Sequence, residues 1–313
     1  MSGFIAPIDF DEVIAQIRLN LENIESCARL FHGRGKSIPK WHFLNIDSFD
    51  HCLIITSYQS VSYEWSKGFC DTLERSFPKQ WEIVILQIRS HKLKQNNSPM
   101  ILKGEPSTEY IFSEHNLKYI INPLSPQNIG FFPDMANTRK WLIENAAGMR
   151  VLNLFAYTCS LSVAAIAGHA KEVLNIDLSS RSLSRGRENH RINEHDLSQV
   201  SFLSHDIRKS FNKIKKKGPW DIIIFDPPTD QGLSFKVERD YAKVIRQMPE
   251  WLDHNGKLLA CLNATHLSNS DLKKMVEDAV PDLKLENEID RPGSFIDKNT
   301  EGGLKVFIYK NCI

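Results

Sequence analysis

Hydrophobic positions along this chain change their spacing twice. Near the start, Ile14, Ile17, Leu19, Leu21, Ile24 and Leu30 fall among acids and amides, and the pattern predicts an amphipathic helix over 9–30 that packs on the next domain. Phe31-His32-Gly33-Arg34-Gly35-Lys36 ends it with two glycines and reads as a turn rather than a phosphate loop. From 41 to 119 the apolar runs shorten. They predict strands over 42–46, 52–57, 82–88, 110–113 and 117–121, with one helix over 66–77. Residues 92–98 read as a polar loop and Glu114-His115-Asn116 as a hairpin turn. This is a small α+β domain. His51, His91 and His115 stand alone in it and read as surface or packing residues.

Beyond 150 the period alternates between strand and helix. Apolar runs over 150–154, 172–176, 200–203, 220–225, 257–262, 283–288 and 305–309 predict strands, and 161–167, 181–193, 241–251 and 270–279 predict helices. Such alternation implies a mostly parallel sheet covered on both faces. The last strand, 304–309, has no helix after it and is expected to pair antiparallel near a sheet edge. The fold class is therefore α/β: a Rossmann-like, doubly wound, mostly parallel sheet preceded by a smaller α+β domain. The divisions read as an N-terminal helix over 1–30, the small domain over 31–122 and the sheet domain over 123–313. The segment 128–134 joins the domains. Asp134 is placed to cap a helix over 135–147, and Arg139 lies one turn further in, where it could point towards a ligand above the sheet.

Composition narrows the function classes. With 313 residues and 42% hydrophobic content, the chain can bury a large core. No apolar run approaches the roughly 20 residues that span a bilayer, and the acidic start lacks a signal pattern, so the expectation is a cytoplasmic protein with no membrane partner. The six cysteines, Cys27, Cys52, Cys70, Cys159, Cys261 and Cys312, are scattered without metal spacing and read as reduced thiols, with no metal site. A net charge of +1 writes no general nucleic-acid affinity into the chain. The one dense basic run, 212–218, reads as a solvated loop that would matter only beside the active edge.

The chemistry is marked by three acids at the ends of three successive predicted strands: Asp177, Asp206 and Asp226. One such acid usually caps the next helix; three on one sheet edge point to a nucleotide-like ligand, with Asp177 on its ribose. No G-x-G-x-x-G follows the first strand and no P-loop occurs. After 221–225 comes Asp226-Pro227-Pro228-Thr229-Asp230, in which two prolines fix φ and remove two N–H donors. The backbone is stiff there, and its carbonyls are free to accept from an amino group.

The second domain resembles the class I S-adenosylmethionine-dependent methyltransferases, and more narrowly the bacterial large-subunit ribosomal RNA methyltransferases of the cytosine-C5 and guanine-N7 types. The likeness rests on Gly130-Phe131-Phe132-Pro133-Asp134 with Arg139, on 151–162, on Asn175-Ile176-Asp177-Leu178-Ser179, Gly186-Arg187-Glu188-Asn189, Asp226-Pro227-Pro228-Thr229, Arg239-Asp240-Tyr241 and Gly303-Leu304-Lys305-Val306. The small domain resembles that family's central domain from Leu30 on, and a helix stands where some members carry an amino-terminal RNA-binding module. The resemblance implies S-adenosylmethionine as cofactor, held by Arg139, Asn153, Phe155, Ala156, Tyr157, Thr158, Asp177, Leu178, Ser179, Asn189, Asp206 and Ile207. The first loop would hold the methionine part, Asp177 the ribose and Asp206 the adenine amino group. Asp226, Pro227 and Pro228 would face the methyl acceptor, with ribosomal RNA as the partner.

Three departures bear on mechanism. Cys159-Ser160 stands where family members usually have glycines, which permit positive φ and close approach of a ligand. Asp230 stands where an aromatic would stack on an extruded base. Cys261 matches the first cysteine of the Thr-Cys-Ser-Cys-like run of the cytosine-C5 enzymes, while the rest of that run is not kept. As a catalytic residue Cys261 would add to C6 of the base; otherwise it is a core thiol, and a guanine or adenine nitrogen is the easier acceptor. Two further readings remain: a methyltransferase for a small molecule or protein, and an RNA-binding or assembly factor without catalysis.

Overall fold

The computed structural model describes residues 6–22, 27–89, 98–126 and 128–312. Ile24, His91 and the predicted loop residues 92–97 lie outside them. The chain divides into two compact units, Met1–Pro133 with Gly293–Thr300, and Asp134–Pro292 with Glu301–Ile313.

The first unit opens with α1 (Asp11–Leu21), shorter than the pattern predicts, because Cys27–His32 is a strand, β1. The apolar spacing at Leu30 fits either state, and edge pairing decides it. β1 pairs antiparallel with β2 (Leu44–Phe49), β2 with β3 (Cys52–Ser57), β3 runs parallel to β4 (Ile83–Ile88), and β4 pairs antiparallel with β5 (Met100–Lys103). The one parallel step needs a crossover, which α2 (Tyr63–Ser76) supplies; its N-cap Ser62 accepts from Trp65 N (3.1 Å). Val13 and Ile17 of α1 and Phe69 and Leu73 of α2 join Trp41, Leu44 and Leu53 in one core. β6 (Tyr110–Glu114) and β7 (Leu117–Ile121) form a separate hairpin, with His115 and Asn116 both at positive φ as its turn.

The run from His32 to Lys36 is a tight turn with a receptor's job inside this unit. A Cβ on Gly33 would lie 2.0 Å from the Trp41 carbonyl oxygen, and one on Gly35 would lie 2.1 Å from that of Ile296. Lys298 N donates to the Gly35 carbonyl (2.7 Å), and Asp297 meets His32 Nε2 at 3.1 Å. The glycines are there for backbone approach.

In the second unit α3 (Ala136–Asn145) leads to β8 (Arg150–Leu154), α4 (Ser160–Ala167), β9 (Glu172–Asp177), α5 (Ser180–Ile192), β10 (Val200–Ser204), α6 (Phe211–Lys217), β11 (Trp220–Phe225), α7 (Val237–Ile245), α8 (Met248–Trp251), β12 (Leu252–Leu262), α9 (Asn269–Ala279), β13 (Leu283–Glu288) and β14 (Lys305–Asn311). The sheet order is β10-β9-β8-β11-β12-β14-β13, parallel from β10 through β12. β14 pairs antiparallel with both β12 and β13. It therefore sits inside the sheet, and β13 takes the edge. Val306, Phe307, Ile308 and Tyr309 are all buried, as an internal strand requires. The strand order turns back between β8 and β11, so a crevice opens at their carboxyl ends.

The basic run forms α6 rather than a loop, with Ile214 turned into the core. Arg150 ties its end down at the amino end of β8: Nη2 donates to the Lys217 carbonyl (2.7 Å) and Nη1 to that of Pro219 (2.6 Å). Its last lysines lie at the end of the sheet away from Asp226. Among the described residues no helix is long and apolar enough to cross a membrane.

Candidate active site

Two loops leave neighbouring strands at the switch point. After β8, Phe155, Tyr157 and Cys159 all take positive φ, at 58°, 48° and 62°. Left-handed backbone costs a non-glycine residue about 1–2 kcal/mol, so something must hold this shape. Ala156 N donates to the Ile176 carbonyl (3.1 Å), Tyr157 N to Asp177 Oδ2 (2.9 Å), and Asn189 Nδ2 to the Thr158 carbonyl (2.9 Å). Cys159 is the N-cap of α4. Its thiol is buried among Ala156 and Leu183, with Phe202 packed against them. A Cβ added at Gly186 would come within 2.3 Å of the Cys159 Sγ, so the bare glycine on α5 makes room for the side chain. The cysteine adopts the glycine-like φ, and the space it needs comes from a different helix.

Asp177, the last residue of β9, is buried, and each oxygen meets a backbone N–H: Oδ2 that of Tyr157, Oδ1 that of Ser179 (2.8 Å). Each oxygen keeps a lone pair for a hydroxyl. Ser179 caps α5 through Ser182 N (3.1 Å). Asp206 falls two residues past β10 and starts a 3₁₀ turn, accepting from Arg208 N (2.9 Å). Phe155, Leu178, Asp206, Ile207 and Arg208 line one cleft with His205, Gln231, Ser234 and Phe235, enclosing about 260 Å³ of empty space including its mouth. Four of the predicted residues thus share one cleft, and Ala156, Tyr157, Thr158, Asp177 and Ser179 build the turns beside it. Arg208, Gln231, Ser234 and Phe235 carry no periodic signal in sequence; only the fold brings them there.

Asn153, Asn189 and Arg139 are not among the residues that line the cleft. Asn153 is buried in a chain of hydrogen bonds: its Nδ2 donates to Asn175 Oδ1 (2.9 Å), and Asn175 Nδ2 donates to Ser162 Oγ (3.0 Å). Ser162 Oγ meets His190 Nε2 (2.9 Å), and His190 Nδ1 meets His195 Nδ1 (3.0 Å). Burial, then the charges of His195 and Arg187, push His190 down to about 3, so the chain runs through a neutral imidazole. Asn153 and Asn189 hold backbone and helices in place. Arg139 is wholly buried on α3, and Asp134 lies in the 3₁₀ turn before it, one residue ahead of the N-cap Met135.

After β11, Asp226 follows the buried run 222–225 directly, and among the described residues no hydrogen-bond donor reaches its carboxylate. Burial, then the like charge of Asp134, push its pKa up to about 7. Thr229 Oγ1 donates to the Asn263 carbonyl (2.8 Å), tying the loop to the end of β12. Cys261 lies inside β12, fully buried, with Sγ 3.9 Å from the Leu259 carbonyl. Burial, then the charge of Asp226, push its thiol well above the ordinary range. A thiolate nucleophile needs exposure and positive surroundings, and Cys261 has neither.

The donor set fits S-adenosylmethionine. Carboxylates at Asp177 and Asp206 match ribose hydroxyls and an exocyclic amine, while Leu178, Ile207 and Phe155 offer apolar faces for a flat ring. Leu178 is a half-exposed leucine at the cleft, a surface that such a ring would cover.

Comparison with known proteins supports the same assignment. The family model for S-adenosylmethionine-dependent methyltransferases matches residues 28–310. Ribosomal RNA large subunit methyltransferase I of Aeromonas salmonicida is 30% identical over 194 residues, covering 60% of this chain and 49% of that protein. The protein of the same name from Erwinia tasmaniensis is 26% identical over 272 residues, covering 85% of this chain and 67% of that one. The chain thus spans about half the length of the Aeromonas relative. A solved structure assigned as an S-adenosylmethionine-dependent methyltransferase from Streptococcus mutans is similar with a TM-score of 0.85 at 26% identity, covering 98% of this chain and 83% of that one. Another with the same figures, assigned as a methyltransferase, is complexed with SAH. With the matched family model spanning nearly the whole chain, this chain belongs to the S-adenosylmethionine-dependent methyltransferases.

Proposed function

We propose that the chain methylates a base nitrogen in large-subunit ribosomal RNA, in the cytoplasm, without a covalent enzyme intermediate. The observation that carries this is Asp226: a half-buried carboxylate that no donor among the described residues satisfies, at the carboxyl end of β11 and followed by two prolines. Such a group lacks a partner that an amino or imino N–H of a substrate would supply. Bound S-adenosylmethionine supplies an electrophilic methyl group. Asp226 accepts the N–H of the acceptor, and the loop stiffened by Pro227 and Pro228 fixes its direction, so the catalytic contribution is alignment. With its pKa near neutrality, Asp226 can also hold the proton that the nitrogen releases. Asp177 and Asp206 orient the cofactor's ribose and adenine. The first unit and the sheet unit are read as a substrate-positioning domain and a catalytic domain. The RNA acceptor comes from the relatives' names, and the seclusion of the Cys261 thiol favours a nitrogen over cytosine C5.

The test uses purified protein, radiolabelled S-adenosylmethionine and large-subunit RNA from a strain lacking this activity. The expected result is transfer to that RNA and none to RNA from the parent strain. Transfer to neither RNA, with cofactor binding intact by calorimetry, rules the RNA reading out and leaves a small-molecule or protein acceptor.

A further inference from the structure

The run Gly303-Leu304-Lys305 at the start of β14 holds a buried cation that the proposed chemistry does not use. Lys305 is only 3% exposed, and its partner across the ladder is Leu262, the last residue of β12. It therefore stands at the carboxyl end of the sheet, where Asp226 follows β11. A buried ammonium is costly unless acceptors meet it. Lys305 Nζ donates to the carbonyl of Gly303 (2.9 Å) in its own turn and to that of Ala264 (3.5 Å), just past β12. Gly303 has no room for a side chain, because the Arg291 guanidinium closes over it.

The residues that follow β12 are held from two flanks. On the β14 side, Lys305 Nζ shares the Ala264 carbonyl with Leu267 N (3.2 Å), and Asn269 N donates to Glu301 Oε2 (2.5 Å). On the β11 side, Thr229 Oγ1 donates to the Asn263 carbonyl (2.8 Å), and His266 Nε2 meets Glu238 Oε1 at 2.8 Å. Asn263 and Ala264 are consecutive. One carbonyl is gripped by the loop that bears Asp226 and the next by the first residue of β14. Pro227 and Pro228 stiffen the Asp226 loop locally, but a stiff loop keeps its direction only if its far end is anchored. Thr229 is that end, and it rests on a stretch of backbone that Lys305 holds still.

We propose that Lys305 is a positioning residue for methyl transfer: its ammonium pins the end of β12 and, through Asn263 and Thr229, sets the direction of the Asp226 carboxylate. The proposal rests on the reading that Asp226 aligns the acceptor. Its test compares Lys305→Met, Thr229→Val and the double variant with the wild type and with Asp226→Asn. Lys305→Gln, the milder change, serves the same comparison where Lys305→Met does not fold. Amide exchange over 226–231 is followed by mass spectrometry, beside kcat and KM on large-subunit RNA, the Kd for S-adenosylmethionine and the thermal midpoint. Exchange over 226–231 should quicken about tenfold in either single variant and no further in the double one, because both act along one path. The kcat should fall about 100-fold, with KM and cofactor Kd within about threefold. A lower midpoint with unchanged exchange over 226–231 would show that Lys305 serves the fold alone and overturn the proposal; that measurement needs no acceptor, so it decides whatever the RNA result. If Asp226→Asn loses turnover and Lys305→Met keeps it, the pin is wrong and the Asp226 reading stands. If Asp226→Asn keeps kcat, both fall together.

Discussion

The loops after β8 and β11 leave adjacent strands of one sheet, yet they keep their shapes by opposite means. The first is built from residues forced into left-handed backbone at Phe155, Tyr157 and Cys159, and outside groups hold it: Asp177, Asn189 and the space at Gly186. The second is stiffened from within by Pro227 and Pro228, and it leaves Asp226 without a donor. One loop consumes hydrogen bonds to keep its shape; the other withholds them, and in the proposed mechanism a substrate supplies one. If this contrast is right, damage to the first loop should appear in cofactor affinity, and damage to the second in turnover.

The largest effect is expected at Asp226. Asp226→Asn should lower kcat about a thousandfold while the Kd for S-adenosylmethionine stays within about threefold, measured by calorimetry beside single-turnover kinetics. A parallel loss of cofactor affinity would break the contrast. The same variant carries a pH signature. Folding raises the pKa of Asp226 from 3.8 to about 7, so the folded state favours the neutral acid, and ionisation removes stability as pH rises through that interval. At pH 8 the asparagine variant should melt higher than the wild type, by up to about 4 kcal/mol from the shift alone and less after solvent relaxation. Below pH 4 the difference should vanish. Melting curves at pH 4, 6 and 8 check the sign.

Next comes Asp177. Its carboxylate braces the first loop through Tyr157 N as well as standing at the proposed ribose position. Asp177→Ala should weaken cofactor binding about 100-fold, and saturating cofactor should recover most of kcat. A variant that binds normally but turns over slowly would reverse the roles given to the two loops.

A smaller effect, and a sharper one, is expected from Gly186 and Cys159. A methyl group at 186 would overlap the buried thiol, at 2.3 Å from its sulfur. Overpacking of this kind costs about 1–3 kcal/mol, and the first loop is the part that must move. Gly186→Ala should therefore raise the cofactor Kd about tenfold, and adding Cys159→Gly should return it to near the wild-type value. Failure of the second change to rescue the first would show that the two positions are not a matched pair.

How far the sequence foretells this molecule differs between the same regions. The strand and helix alternation of the second unit is legible because buried parallel strands read as unbroken apolar runs: VLNL, VLNI and DIIIF all emerge as strands. The acid at each tip is legible too, since it interrupts such a run. Tertiary context governs what is missed. Cys27–His32 reads as the end of a helix until β2 pairs with it, and Met100–Lys103 is too short and half-exposed to stand out. Asn153 sits where a ligand contact is expected, but its amide belongs to a chain reaching His195, 42 residues away in sequence. Gly186 carries no local mark of its purpose, because the atom it makes room for belongs to another element. The first loop lacks a glycine of its own, and the counterpart is Gly186 on α5.

The smallest effect is expected at Cys261, and it bears on the second loop's chemistry. The thiol is buried in β12 behind Asp226, and both burial and that negative charge disfavour the thiolate. Cytosine-C5 transfer would need the thiolate to add to the base, which requires a reachable and ionised sulfur. Nitrogen transfer needs neither. Cys261→Ala should keep kcat within about threefold, while the small cavity it leaves costs roughly 1 kcal/mol of stability. A loss of activity of a thousandfold with an unchanged midpoint would mean that β12 opens to expose the sulfur. Asp226 would then be orienting a cytosine, and the second loop would be a partner in covalent catalysis rather than a fixed acceptor of one hydrogen bond.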